Sequence, residues 1–180
     1  MRRSGIVVLS GVLFVGCASS DRLLWEEYTS AGVAAVDSRH YARAEMYFNR
    51  ALLKAENLGP EERGISLNGL GETYRRQGRT ADAEKMYKRA LAVKEVALGP
   101  DHPDVATTLT NLGVLYAASG RDQDAVPVLE RSLSIREKRR GSEHPTLRPT
   151  LLALAAAYQR LGRAHDAFVM EVRLRLLRPE

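Results

Sequence analysis

Along this chain leucine, alanine and tyrosine return at steps of three and four residues with charged residues between them, the spacing that lays one apolar stripe along a helix. The stripes are cut at regular points. Gly78-Arg79, Gly120-Arg121 and Gly162-Arg163 follow one another at a spacing of 42 residues, and Tyr74, Tyr116 and Tyr158, like Ala83, Ala125 and Ala167, keep the same spacing. Gly59-Pro60 and Gly99-Pro100 close longer blocks, because glycine suits the C-terminus of a helix and proline is tolerated only in the first turn of the next. Gly78, Gly120 and Gly162 end the first helix of each block. Asp101, Asp104, Asp122 and Asp124 fall at helix starts, where carboxylates accept from free N–H groups. The pattern predicts eight helices, near 21–37, 40–57, 61–77, 80–98, 103–119, 122–140, 145–161 and 164–178. A fixed period of this size describes an array of similar helical hairpins rather than one closed core, so the expected class is an all-α solenoid.

Within one block the sequence reads Leu70-Gly71, Tyr74, then Ala83, Tyr87 and Ala90. The next gives Leu112-Gly113, Tyr116, Ala125, Leu129 and Ser132. The last gives Leu154-Ala155, Tyr158 and Ala167, and then departs at Glu171 and Leu174. The first matches at a spacing of 39, through Ala31-Gly32, Ala35, Ala44, Phe48 and Ala51. Small residues at Gly32, Gly71, Gly113 and Ala155 let two helices cross closely, with the aromatic positions filling the space beside them. This large-small-aromatic order resembles the tetratricopeptide repeat. The resemblance implies a right-handed superhelix of four helix-turn-helix units and about eight antiparallel helices. The units are a divergent 21–59, then 60–101, 102–143 and a 144–180 whose second helix is degenerate and caps the array or forms an interface. The 42-residue period exceeds the usual repeat of about 34 residues. Leu98-Gly99-Pro100-Asp101-His102-Pro103, Asn111-Leu112-Gly113-Val114-Leu115-Tyr116 and Ser134-Ile135-Arg136-Glu137-Lys138 look like the 42-residue repeats of kinesin light chains, over about 60–180.

By that resemblance the first helices line a concave groove that binds peptides or helices of other proteins. The groove positions carry over to Asn68, Glu72, Arg75, Arg76, Thr110, Asn111, Val114, Gln159 and Arg160. Arg75 and Arg76 would form a basic patch, and Asn111 would bond a partner's backbone. The groove type that grips a terminal carboxylate is matched only at Asn111.

The chain opens Met1-Arg2-Arg3, continues with an apolar stretch from Gly5 to Val15 and reaches Gly16-Cys17. A charged start, a short apolar run and a small residue describe an export signal, too short to span a membrane. It is similar to bacterial lipoprotein signals, in which cleavage precedes a cysteine that takes the lipid. Phe14 stands where that class usually has leucine. The resemblance implies a signal over 1–16, lipidation of Cys17, a tether over 17–20, and a membrane anchor. Ala18 after the cysteine points to the outer membrane of a bacterial envelope, with the protein facing the periplasm. Cys17 is the single cysteine, so no disulfide forms within the chain.

The formal charge of +5 falls to +3 without Arg2 and Arg3, which speaks against nucleic acid as a partner. His102-Pro103 and His144-Pro145 recur at 42 as turn residues, and no histidine pair or cysteine cluster has the spacing of a metal site. No Ser-His-Asp order, phosphate-binding glycine loop or paired carboxylates appear, so no catalytic residue and no cofactor is expected. The final helix carries Phe168, Val172, Leu174, Leu176 and Leu177 on more than one face, a candidate surface for a partner or for a homo-oligomer. The expected function is a membrane-anchored scaffold or adaptor for proteins of the cell envelope. The alternatives are a self-assembling structural protein built through the C-terminal helix, or an accessory subunit of an envelope enzyme.

Overall fold

The computed structural model describes residues 11–177, with side chains from residue 20 onward. The side chains of the expected signal 1–16 and of Cys17 lie outside the described residues. The elements are α1 (Gly11–Asp37), α2 (Tyr41–Ala55), α3 (Pro60–Arg76), α4 (Thr80–Leu98), α5 (Pro103–Ala118), α6 (Asp122–Arg140), α7 (Arg148–Arg160) and α8 (Ala164–Leu176). The eight predicted helices are all found, with two differences. Helix α1 starts at Gly11 and not near Asp21, because Leu13, Phe14 and Val15 continue a helix and the later start was set by the expected cleavage. Helix α7 starts at Arg148, after a single 3-10 turn over Pro145–Leu147. An α-helix begun at Pro145 would need the residue 149 N–H to bond the Pro145 carbonyl, and Pro149 has none.

Each helix packs on its neighbours in sequence. The odd helices also approach one another backbone to backbone along the array, α1 on α3, α3 on α5 and α5 on α7, whereas the even helices meet through side chains, Arg131 of α6 with Glu95 of α4 at 2.6 Å and Arg173 of α8 with Glu137 of α6. The array therefore curves with the odd helices inside. A continuous apolar cluster from Ala35 to Leu177 runs through all four hairpins, with Tyr87, Leu129, Leu151 and Leu154 fully buried.

Small side chains set the crossings inside the hairpins. A Cβ added at Gly32 would lie 2.9 Å from the Phe48 ring, one at Gly71 would lie 2.6 Å from the Tyr87 ring, and one at Gly113 would meet Leu129. The same argument reaches a glycine the sequence reading passed over. Gly69 has no room for a side chain because Phe48 of the preceding hairpin presses on it.

The turn inside each later hairpin needs a left-handed residue, with φ of 75° at Gly78, 73° at Gly120 and 72° at Gly162. In the first hairpin this position is Arg39, which adopts φ 61° despite its side chain. The second and third turns between hairpins are capped by histidine and not by the aspartates, and the first, at Gly59, has no side-chain cap. His102 Nδ1 accepts from the Asp104 N–H, and His144 Nδ1 from the Thr146 N–H, both at 3.2 Å.

A repeated polar set holds the hairpins in register. The arginine after each turn glycine lies over the tyrosine of its own hairpin, 4.1 Å for Arg79 on Tyr74, 4.3 Å for Arg121 on Tyr116 and 4.4 Å for Arg163 on Tyr158. The tyrosine hydroxyl donates to a carboxylate of the hairpin before: Tyr74 to Glu45 at 2.9 Å, Tyr116 to Glu84 at 3.0 Å, and Tyr158 to Glu130. Arg121 adds a bond to Glu84 at 2.6 Å, and Lys88 pairs with it at 2.7 Å. Glu45 and Glu84 share one repeat position; in the third hairpin that position is the buried Val126, and Glu130, one turn later, takes over the bond.

Candidate functional site

The inner face carries an open cavity of about 310 Å³. Helix α1 contributes Thr29, Val33, Val36 and Asp37, and Phe48 of α2 closes the floor. Helix α3 contributes Ile65, Asn68, Gly69, Glu72 and Arg76, and α5 contributes Thr107 and Asn111. The floor is apolar, through Val36, Phe48 and Ile65, and the rim is polar or charged. That combination suits a segment presenting apolar side chains and a backbone in need of hydrogen-bond partners.

Four of the expected groove residues therefore lie in one place: Asn68, Glu72, Arg76 and Asn111. Asn68 Nδ2 donates to Thr108 at 2.9 Å, while its Oδ1 is buried without a partner. The others lie elsewhere or do other work. Thr110 is a correction: it is buried and bonded to Ala106 O, Ser132 and Thr150 at 3.0, 2.7 and 3.0 Å, so it fills the seam between hairpins. Ser132 bonds it across the hairpin and the hydroxyls draw it inward; Asn68, in the same repeat position, is half-buried at the cavity rim. Val114 is half-buried and Gln159 bonds Glu171 at 2.7 Å, both away from this cavity. Arg160 grips Asp122 with two bonds of 2.8 and 2.6 Å and holds α7 against α6.

The expected basic patch of Arg75 and Arg76 is likewise corrected. Arg75 donates twice to Glu72, at 2.7 and 2.6 Å, and Arg76 donates once at 2.6 Å. Tyr87 adds a fourth bond at 3.1 Å. Burial works to raise the Glu72 pKa, and the bonds from Arg75 and Arg76 outweigh it, holding the carboxyl below the usual range. The single carboxylate offsets one of the two arginines, so the cluster presents one net positive charge held at Glu72 rather than a patch of two free cations.

What the sequence reading missed sits in the first hairpin. Thr29, Val33 and Asp37 precede Asn68, Glu72 and Arg76 by 39 residues, so the period already seen in Gly32 and Ala44 assigns them to the same face. Ile65 and Gly69 stand 42 residues before Thr107 and Asn111.

At the other end, the final helix divides. Phe168 and Leu176 are exposed and Val172 is half-buried, whereas Leu174 packs on the core and Leu177 is buried. Leu174 and Leu177 are therefore corrected from surface to core: α8 turns them toward α7. Cys17 cannot be placed, its side chain lying outside the described residues. No described helix is long and apolar enough to cross a membrane.

A curved stack of helical hairpins with an open inner groove defines the class of protein-interaction solenoids. The tetratricopeptide repeat family matches over residues 29–95 and 62–138, and the chain belongs to that family. It is similar in structure to the kinesin light chain-type TPR-like repeats of a Podosopora anserina protein, in two crystal structures. One aligns with a TM-score of 0.68 at 24% identity, over 84% of this chain and 73% of that one. The other aligns with a TM-score of 0.66 over the same shares. BtubC (BKLC) of P. vanneervenii aligns with a TM-score of 0.63 at 14% identity, over 94% of this chain and 92% of that one. In sequence, 38 residues are 50% identical to a nucleotide-binding leucine-rich repeat (NLR)-like protein of Hyaloscypha variabilis, over 21% of this chain. They span only 4% of that relative's length.

Proposed function

We propose that this chain is a lipid-anchored adaptor of a bacterial cell envelope, which holds an extended peptide or a helix of a partner protein in the groove of α1, α3 and α5. The observation that carries the reading is the cavity itself: three successive inner helices supply an apolar floor ringed by Asn68, Asn111, Thr107 and Thr29. The Asn111 amide at such a rim bonds a backbone without demanding a particular side chain, the hydroxyls of Thr29 and Thr107 already donating to carbonyls of their own helices, and the floor takes an apolar side chain. The anchor rests on Met1-Arg2-Arg3, the apolar run and Gly16-Cys17, which support lipidation of Cys17 and a place at the outer membrane facing the periplasm. One acyl chain holds a protein only marginally, so three, as in lipoproteins, give a stable attachment.

Two measurements test this. A photo-crosslinking residue in place of Val33, in the groove, should capture one envelope protein from intact cells, and Ile65→Glu should abolish that capture. The same residue in place of Val96, on α4 and 90% exposed, should capture nothing comparable. Equal capture from both positions refutes the groove. Labelling with an alkyne fatty acid should mark the wild type and leave Cys17→Ser unmarked; an unlabelled wild type refutes the anchor alone.

A further inference from the structure

Short turns make successive helices antiparallel, so the starts of the odd helices and the ends of the even ones share one edge of the array. Side chains trace that edge. Asp21 of α1 accepts from Lys54 and Asn57 at the end of α2, at 2.7 and 2.8 Å. Arg22 donates to Glu62 at the start of α3, and Lys138 at the end of α6 lies 3.9 Å from Asp101 in the turn before α5. Charge is uneven along it. The first two turns between hairpins expose Glu56, Glu61 and Asp101 together with Arg63. The third exposes Lys138, Arg139, Arg140 and Arg148 around one carboxylate, Glu143. Among the described residues Arg139 and Arg148 bond no carboxylate, whereas Arg79, Arg121 and Arg163 on the opposite edge each hold at least one. Leu23, Leu53 and Val96 stand within one turn of the same edge and are 67%, 64% and 90% exposed.

We propose that the basic third turn rests on an anionic lipid surface, so that the array lies edge-on to the membrane. The proposal rests on the reading of Cys17 as the lipid anchor. Cys17 precedes Asp21 by four residues, at most about 14 Å of chain, so the lipid keeps the first turn close to the headgroups in spite of its acidic side chains. The third turn lies two hairpins further on, roughly 20 Å away at about 8–10 Å between packed helices. That exceeds the screening length of about 8 Å at physiological salt. The anchor alone therefore leaves the far end free to swing away, and the cations there decide its posture. Each lysine or arginine near an anionic surface adds to the attraction, and four of them face one carboxylate. The exposed Leu23, Leu53 and Val96 favour a bilayer over an acidic protein, because apolar side chains enter the boundary between headgroups and acyl chains. In this posture the helices stand on end, and the groove of α1, α3 and α5 opens along the membrane plane where a partner can reach it.

Fluorescence quenching of the lipidated full chain in vesicles reads the posture. Cys17 is the single cysteine, so Ser142→Cys in the third turn, or Ser119→Cys on the opposite edge, takes one thiol-reactive dye. Lipids with nitroxide headgroups should quench the dye at Ser142 in vesicles containing phosphatidylglycerol, and should leave the dye at Ser119 bright. Raising the salt from about 0.01 M to about 1 M shortens the screening length from about 30 Å to about 3 Å and should release the quenching. Vesicles of phosphatidylcholine alone should release it too. Arg139→Gln with Arg140→Gln should lower the ratio of docked to undocked protein about thirtyfold, and Arg148→Gln about fivefold. These side chains are exposed, so helix content should be unchanged; if the double variant loses helix, Arg148→Gln and the salt series decide. A dye at Ser142 that stays bright in anionic vesicles overturns the proposal, as does quenching indifferent to both variants. A dye that stays bright there but responds to added polyglutamate assigns the cations to an acidic protein instead. Protein washed off the vesicles altogether refutes the anchor, and the posture with it, whereas bound protein with a bright Ser142 dye overturns the posture alone.

Discussion

Gly71→Ala adds one methyl group where two helices cross, and the structure sets its cost. The new Cβ would lie 2.6 Å from Cδ1 and Cε1 of Tyr87, and Tyr87 is fully buried with its hydroxyl held by Glu72, so the ring has no free direction to move. Overpacking of this kind costs about 1–3 kcal/mol. Alanine in a helix interior recovers about 1 kcal/mol over glycine, which leaves a net loss of about 1 kcal/mol. For a chain of this length that corresponds to a melting temperature lower by about 2–4 °C. Thermal unfolding followed by far-ultraviolet circular dichroism measures it. Ala155→Gly is the companion. The fourth hairpin has Glu171 where Tyr87 stands, and Glu171 turns outward to Gln159, so alanine fits there. Removing it should cost about 1–2 kcal/mol, from helix propensity and from the buried methyl group. Each change should therefore destabilise, in opposite chemical directions. If Gly71→Ala raises the melting temperature, the crossing relaxes freely, and close approach is not what selects glycine.

Two further outcomes follow from the turns and the seams. Arg39 holds φ 61° where the later hairpins use glycine, so Arg39→Gly should stabilise the first hairpin by about 1 kcal/mol, read as a rise in melting temperature; no change would mean that the turn carries no strain. The bond from Lys88, followed by those from Arg121 and Tyr116 against the opposing effect of burial, holds the Glu84 carboxyl down to about 2, against an ordinary 4.5. A carboxyl depressed in the folded state contributes stability that is present above pH 4.5 and is lost as pH falls toward 2. Glu84→Gln should flatten the acid side of the stability curve in that window, and an unaltered acid limb would show that the seam carboxylate does not contribute.

The repeat arithmetic made the architecture legible, because Gly-Arg, tyrosine and alanine return at one spacing and each has a fixed packing role. It also assigned Asn68, Glu72, Arg76 and Asn111 to the inner face. It failed where one repeat position serves two environments. Asn68 and Thr110 share a column, yet Thr110 bonds both Ser132 and Thr150 in the seam, whereas Asn68 bonds Thr108 alone and lies half-buried at the cavity rim. Arg76 and Arg160 share a column as well. Arg76 turns to Glu72 on its own helix, and Arg160 crosses to Asp122 because α6 offers a carboxylate at its first position. The histidine caps were read as turn residues because histidine is not among the usual capping types. The groove's first wall was passed over because the leading hairpin keeps a spacing of 39 and lacks the tyrosine of the others.

Among the described residues, each helix packs on its sequence neighbours and reaches no further than the helix one hairpin away. Mechanically, such a body is a spring. A force along its axis is shared by three seams in series, and each answers with a small rotation of one hairpin on the next. The arginine–tyrosine stacks and the carboxylate bonds set the stiffness of each joint, and no contact reaches across the array to lock its curvature. A solenoid of this build can open or tighten its arc around partners of different girth while every hairpin stays folded.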